Sequence, residues 1–241
     1  MVGTKERWIG LPRAWRGVPV ARASLDRVAI VGDIHGRWDL LEALLARLGD
    51  VPLVTVGDVG DRGLDTRGAL DLLVERGALG VLGNHDLWLA AWAAGEGLAP
   101  LPGSTPTLHS YGVSPVGAER RGGSVHPAHR DWLLGLPVAL DLQVAGEPWW
   151  VVHAGVPAAG WGQVAPDRAV PTLAREHPLE LIWPKHDPEH APILDRPVVC
   201  GHRPRKEPLD AGHVVAIDTG AGHGGRLTAL LLPERTFVTV G

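Results

Sequence analysis

The chain has 241 residues, of which 45% are hydrophobic and 21% charged, and it carries a formal net charge of −4. That balance suits a water-soluble globular protein with a sizeable core; disordered and collagen-like chains are excluded, and no apolar run reaches the ~18 residues of a membrane span. One cysteine, Cys200, rules out a disulfide framework or a cysteine-based zinc cluster, and the negative charge leaves no overall footprint for nucleic acid.

Residues 1–15 lack the apolar core of a signal peptide, so a cytoplasmic protein with no membrane partner is expected. Arginine outnumbers lysine 20 to 3, and there are two glutamines, one methionine and a single asparagine, Asn84. Few thermolabile residues alongside 21 prolines fit a heat-tolerant protein, and a GC-rich genome would leave the same bias. In a chain that almost never uses asparagine, Asn84 needs a reason.

In chain order, residues 1–26 read as an N-terminal extension to one domain spanning 1–241. Short apolar runs follow, each stopping at glycine or a polar residue. The run 28–31 ends at Gly32-Asp33, 53–56 at Gly57-Asp58 and 79–82 at Gly83-Asn84. Later, 149–152 ends at His153, 197–200 at Gly201-His202 and 214–217 at Asp218. Valine-rich runs of this length bounded by glycine predict buried strands. Between the first three lie amphipathic patterns: 38–48, with Trp38, Leu41, Leu44, Leu45 and Leu48 on one face, then 65–76, then a shorter helix over 86–94. Strand–helix–strand repeated twice predicts parallel pairing with right-handed crossovers. Residues 227–232 and 236–240 read as a closing hairpin, and the fold is expected to be α/β with two packed sheets.

Ligands of such sheets gather beyond the carboxyl ends of the strands. Those ends carry Asp33, His35, Asp58, Asn84, His153 and His202. A single aspartate or asparagine after a strand is ordinarily a turn former. Five strands delivering carboxylate, amide or imidazole groups to one edge is more than turn chemistry requires. Imidazoles mixed with carboxylates suit Mn²⁺, Fe²⁺ or Zn²⁺, whereas an all-oxygen calcium cage would have no use for the histidines.

The blocks Gly32-Asp33-Ile34-His35-Gly36, Gly57-Asp58-Val59-Gly60-Asp61-Arg62-Gly63 and Gly83-Asn84-His85-Asp86 resemble the three signatures of the phosphoprotein phosphatase branch of the calcineurin-like metallophosphoesterases. The resemblance continues through His153-Ala154-Gly155, Gly201-His202 and Asp218-Thr219-Gly220-Ala221. Residues 107–112 and 129–137 look like the bacterial members, a group of serine/threonine protein phosphatases and diadenosine tetraphosphatases. The similarity spans about 28–232, and six blocks in order are far more specific than any one.

It implies the calcineurin-like fold, two mixed β-sheets flanked by helices, and two divalent cations, Mn²⁺ first with Fe²⁺ or Zn²⁺ as alternatives. By resemblance, Asp33 and His35 would bind one cation and Asn84, His153 and His202 the other, with Asp58 shared. The uncharged amide ligand then explains Asn84. A water acidified between the cations would attack phosphorus in line. His85 would protonate the departing oxygen, Asp61 would orient His85, and Arg62 would clamp the phosphoryl oxygens.

One departure concerns the second phosphate clamp. Bacterial relatives place an arginine after the Leu-Trp segment, which here reads Leu181-Ile182-Trp183-Pro184-Lys185-His186. Either Lys185 serves as a point charge or Arg203, after Gly201-His202, supplies the guanidinium. Two other patterns read as decoys. Gly220 to Gly225 satisfies GxGxxG, but the strand-like residues after it leave no room for a helix or a βαβ unit. His186 and His190 flank Pro188, which suits a surface loop rather than a zinc-binding helix. Trp88 and Trp92, at i and i+4, read as core.

Three function classes follow: a phosphomonoesterase acting on phosphoserine or phosphothreonine proteins, a hydrolase of diadenosine tetraphosphate, and a metal-bound interaction scaffold. Retention of His85, Asp61 and Arg62 weighs against the scaffold. The complete Asp61-Arg62-Gly63 favours the protein phosphatase, and Asp86 with Leu87-Trp88 after it favours the nucleotide hydrolase. The leading expectation is the phosphatase.

Overall fold

The structure, a computed structural model, describes residues 10–97, 101–158 and 165–241. The first nine residues of the expected extension lie outside them. The rest of that stretch is partly built into the fold, because β1 (Val20–Leu25) is an edge strand paired in parallel with β5 (Ala139–Val144).

The first half follows the sequence pattern. β2 (Val28–Val31), β3 (Leu53–Thr55) and β4 (Leu79–Gly80) are parallel neighbours, with α1 (Trp38–Leu48) and α2 (Thr66–Glu75) between them. Helix α1 buries Leu41, Leu44, Leu45 and Leu48, one stripe of a 3.6-residue repeat, and stops at Gly49. Helix α2 begins at Asp65, whose carboxylate accepts the Gly68 N–H at 2.8 Å. The next helix, α3 (Asn84–Ala93), starts two residues before the expected 86. Its first turn is held by Asp86, which accepts the Gly83 N–H at 3.0 Å, so Asn84 and His85 are helical rather than part of a turn. Every residue of α3 is buried, as in a helix packed on all sides, and Trp88 stacks on Trp92 with ring centroids 5.6 Å apart.

The second half holds α4 (Thr105–Ser110), α5 (Pro127–Gly135), β5, β6 (Glu147–Val152), α6 (Pro166–Glu176), β7 (Val198–Cys200), β8 (Leu209–Asp210) and β9 (Val214–Ala216). The expected hairpin is β10 (Leu227–Leu232) and β11 (Thr236–Val240). Helices α4 to α6 and strands β1, β5 and β8 had no clear local signature. Each helix has a proline in its first turn or interior, and β1 has exposed alternate positions.

Two sheets result, a six-stranded one in the order β1-β5-β6-β7-β9-β8 and a five-stranded one in the order β11-β10-β2-β3-β4. Val28, Ile30, Val54 and Leu230 of the smaller sheet pack with Leu140, Leu142, Val151, Val199 and Val215 of the larger one. The alternate residues of β2, Ala29 and Val31, join the other apolar cluster with Leu41, Leu44 and Leu70 of the helices. A strand covered on both faces is apolar throughout, and the burial of all four β2 residues follows from that. This sandwich brings the carboxyl ends of β2, β3, β6, β7 and β9 to one rim, beside the N-terminus of α3.

Candidate active site

The rim is marked by unusual backbone. Among the described residues, seven non-glycines have positive φ, and five of them are His35, Asp58, Asp61, Arg62 and His202, with φ of 49°, 54°, 69°, 69° and 67°. The left-handed region disfavours side chains with a Cβ, so its concentration in residues singled out for chemistry points to a site held by its surroundings. Close approach also demands two glycines. A Cβ on Gly83 would lie 2.3 Å from Asp58 Oδ1, and one on Gly201 would lie 2.0 Å from Asp33 Oδ1.

Asp58 sits in the middle. Its Oδ2 is 3.6 Å from His35 Nε2 and its Oδ1 is 3.4 Å from His153 Nε2, so one carboxylate faces both imidazoles. His35 places Nδ1 2.9 Å from the Gly60 carbonyl, and His153 places Nδ1 2.8 Å from the Val56 carbonyl. Each carbonyl requires a proton on Nδ1; at His35, kept neutral by burial, this leaves the Nε2 lone pair directed into the site. Around His153 Nε2 lie Asn84 Oδ1 at 3.2 Å and His202 Nδ1 at 3.1 Å. Asp58, His153 and His202 form one group of converging donors, and His35, Asp58 and His85 another. Asp33, just after β2, reaches across to the chain after β7, both carboxylate oxygens accepting the His202 N–H at 3.1 and 3.0 Å.

The donor set fits a pair of divalent cations. Asp33, Asp58, Asp61, Asp86 and Asp218 are at most 3% exposed, and Arg62 is the permanently charged cation in contact with the imidazoles. Unmatched buried carboxylates are costly, and dications would neutralise them. Burial, Asp218 and Asp58 together hold Asp33 well above the ordinary carboxylate range. Burial would also raise Asp58, but His153, His85 and His35 keep it well below that range. Burial drives His35 down to about 3 and His202 down to about 4, while Asp58 overcomes burial at His153 and lifts it to about 10.

On the neighbouring side, His85 Nδ1 stands 2.6 Å from Asp61 Oδ2. Burial opposes charge on His85, but Asp58 and Asp61 raise its pKa above the ordinary imidazole value. Arg62 points both terminal nitrogens at imidazoles: Nη1 is 2.8 Å from Nε2 of His35 and of His223, and Nη2 is 3.2 Å from Nε2 of His85. The group facing the His35 lone pair is therefore itself a cation.

Of the two candidates for the second clamp, Arg203 is turned to Asp187 at 3.3 Å and to the His186 carbonyl. Lys185 adds, after burial and nearer groups, to the lowering of the His202 and His223 pKa values. His186 and His190 lie on an irregular segment, with a short 3₁₀ turn at Pro188–His190, in keeping with the expected loop.

Sequence reasoning gave no role to several residues that the fold brings here. Asp86 accepts the N–H groups of Asp58 at 2.7 Å and Val59 at 3.0 Å as well as that of Gly83. Burial and then Asp58 push its pKa up to about 6. Asp218 accepts the Gly220 N–H, and burial raises its pKa to about 6. Asp218 follows the strand-end pattern, and Asp86 closes the Gly83-Asn84-His85-Asp86 block. His223 belongs to the glycine-rich stretch set aside as a decoy. That stretch forms a 3₁₀ turn, Ala221–His223, leading into β10, and no helix opens there. Thr66 carried no signal, and Thr107 entered only as the first residue of the stretch 107–112 that resembles the bacterial members, with no role of its own.

Residues 26–223 match the sequence profile of the calcineurin-like phosphoesterases. The bis(5'-nucleosyl)-tetraphosphatase PrpE (asymmetrical) of Oceanobacillus iheyensis is 28% identical over 89% of this chain and 92% of its own length. Serine/threonine-protein phosphatase 1 of Salmonella typhimurium is 31% identical over 83% of this chain and 89% of its own. A solved structure provisionally described as a diadenosine tetraphosphatase superposes with a TM-score of 0.63 at 24% identity, covering 92% of this chain and 96% of that one. With its six motif blocks meeting at one rim, the chain belongs to the calcineurin-like phosphoesterase family and is a metal-dependent hydrolase.

Proposed function

We propose that this phosphoesterase cleaves the phosphoanhydride chain of dinucleoside tetraphosphates such as diadenosine tetraphosphate. The observation that carries this reading is a pocket of about 540 Å³ beside the rim, lined by Arg205, Lys206, Arg226 and His223 together with Glu207. Arg205 pairs with Glu189 and Arg226 with Glu207, so a phosphate chain would draw these guanidiniums away from their carboxylates. His223 links it to the site through its contact with Arg62. A phosphomonoester needs no cations so far from the reacting phosphorus, whereas a chain of four phosphates does. The PrpE relative, aligned over nearly its whole length, supports the same substrate class.

In this reading Asp33, His35, Asp58, Asn84, His153 and His202 are the residues that would hold the two cations, Asp58 being the carboxylate common to both donor groups. When bound, the two cations supply Lewis acidity that activates water and offsets phosphoryl charge. Arg62 binds the phosphoryl oxygens with its planar fork, and Lys185 adds a point charge. His85 carries the proton for the departing oxygen on Nε2, with Asp61 holding the ring by Nδ1.

A second reading, hydrolysis of phosphoserine and phosphothreonine in proteins, is favoured by the complete Asp61-Arg62-Gly63 and by the Salmonella relative. Side-by-side kcat/KM values for diadenosine tetraphosphate and a phosphothreonine peptide separate the two. The nucleotide is expected to lead by at least about 10-fold, worth roughly 1.4 kcal/mol of transition-state stabilisation. An equal or better rate on the peptide overturns the nucleotide reading.

A further inference from the structure

Asp61 and Arg62 are consecutive, both have φ of 69°, and both are braced by one short segment around α4. The Gly103 carbonyl accepts the Arg62 N–H at 2.8 Å. Thr107, fully buried on α4, takes the Asp61 N–H on Oγ1 at 2.9 Å and lies 2.8 Å from Asp61 Oδ1. An ionised carboxylate cannot donate, so the Thr107 hydroxyl proton points to Oδ1. Thr66 Oγ1, 2.8 Å from Thr107 Oγ1, must then donate to Thr107. The hydroxyl protons therefore run from Thr66 to Thr107 to Asp61 Oδ1, the Asp61 N–H returns to Thr107 Oγ1 and, at 3.2 Å, to Thr66 Oγ1, and Oδ2 receives the His85 ring proton.

From this geometry we infer that Thr107 is a positioning residue for the acid: its hydroxyl fixes the rotamer and backbone of Asp61, and through Asp61 it orients the His85 imidazole toward the departing oxygen. The inference rests on the assignment of His85 as acid and is independent of which phosphate substrate is preferred. Thr107 has every hydrogen-bonding capacity of its hydroxyl in use, two accepted bonds and one donated, all directed at or behind Asp61. A freely rotating carboxylate would let the ring swing, and misalignment of a proton donor costs rate chiefly where the leaving group needs its proton.

The test uses metal-loaded full-length protein and two aryl phosphates, phenyl phosphate with a basic leaving group and 4-nitrophenyl phosphate with a stable one. Thr107→Val and Thr107→Ala are expected to lower kcat on phenyl phosphate by about 10-fold and on 4-nitrophenyl phosphate by no more than about 2-fold, with KM little changed. Thr107→Ser, which keeps the hydroxyl, is expected to recover most of the loss. Thr107→Ala keeps the test decisive if the valine variant does not fold. Equal losses on the two substrates, unchanged rates, or a serine variant as impaired as alanine overturn the inference. His85→Ala is run in parallel: if it shows no leaving-group dependence, the acid assignment falls and Thr107 falls with it. If His85→Ala shows the dependence and the Thr107 variants do not, the role of Thr107 alone is wrong.

Discussion

His85 and Asp61, 24 residues apart in the chain, meet through a 2.6 Å contact between Nδ1 and Oδ2. One residue comes from the first turn of a buried helix and the other from a left-handed loop after β3. The contact holds the proton on Nδ1 and turns Nε2 toward Arg62 and the rim. His85→Ala is therefore expected to keep fold and bound metal while kcat falls by about 10²–10⁴. The drop is expected to be smaller on 4-nitrophenyl phosphate than on an alkyl phosphate. Equal losses on both would make His85 a binding group instead of an acid.

Asp58 is the carboxylate that faces imidazoles from both donor groups. Wild-type protein is expected to hold about two divalent ions per chain, to lose turnover to a chelator and to regain it with Mn²⁺. Asp58→Asn is expected to lower the metal content measured by elemental analysis more than Asn84→Ala does, because Asn84 faces only the His153 group. Metal-free protein with undiminished turnover would overturn the dinuclear assignment.

The two clamp candidates differ in whether a carboxylate already pairs with them. Arg203 is spent on Asp187, and Lys185 lies in the field of His202 and His223. Lys185→Ala is expected to raise KM for diadenosine tetraphosphate several-fold, and Arg203→Ala to do less. Steady-state kinetics at low salt, where a point charge is least screened, gives the comparison its largest range. A larger effect at Arg203 would reverse the assignment.

Stability should depend on pH through His129, which is remote from the rim. Its Nε2 is 2.9 Å from Asp71 and its Nδ1 is 2.9 Å from the Tyr111 hydroxyl. Burial lowers the His129 pKa below its ordinary value, against the opposing pull of Asp71. The folded state then binds fewer protons than the unfolded state, so this contribution is complete above about pH 6.5 and is lost as pH falls toward the depressed value. Denaturant unfolding of the metal-loaded protein at pH 7.5 and 5.5 is expected to show a larger loss for wild type than for His129→Gln. Equal losses would remove His129 as the cause.

How much of this was legible in advance depended on the range of the interactions. The sequence by itself determined β2, β3, α1, α2 and the closing hairpin, because strand length, the 3.6-residue apolar stripe and glycine stops are local signals. It also identified the rim residues from Asp33 to His202, because each directly follows an apolar run or lies in a motif block. Only the tertiary structure decided that Val20–Leu25 would pair with Ala139–Val144, since that register joins segments more than a hundred residues apart and neither end carries a turn signal. The same holds for Thr107, 46 residues from Asp61, and for His223, 161 residues from Arg62. A threonine on a short helix and a histidine among glycines are chemically ordinary. Packing of α4 against α2, and the path of the chain into β10, bring their polar atoms within hydrogen-bonding distance of the site.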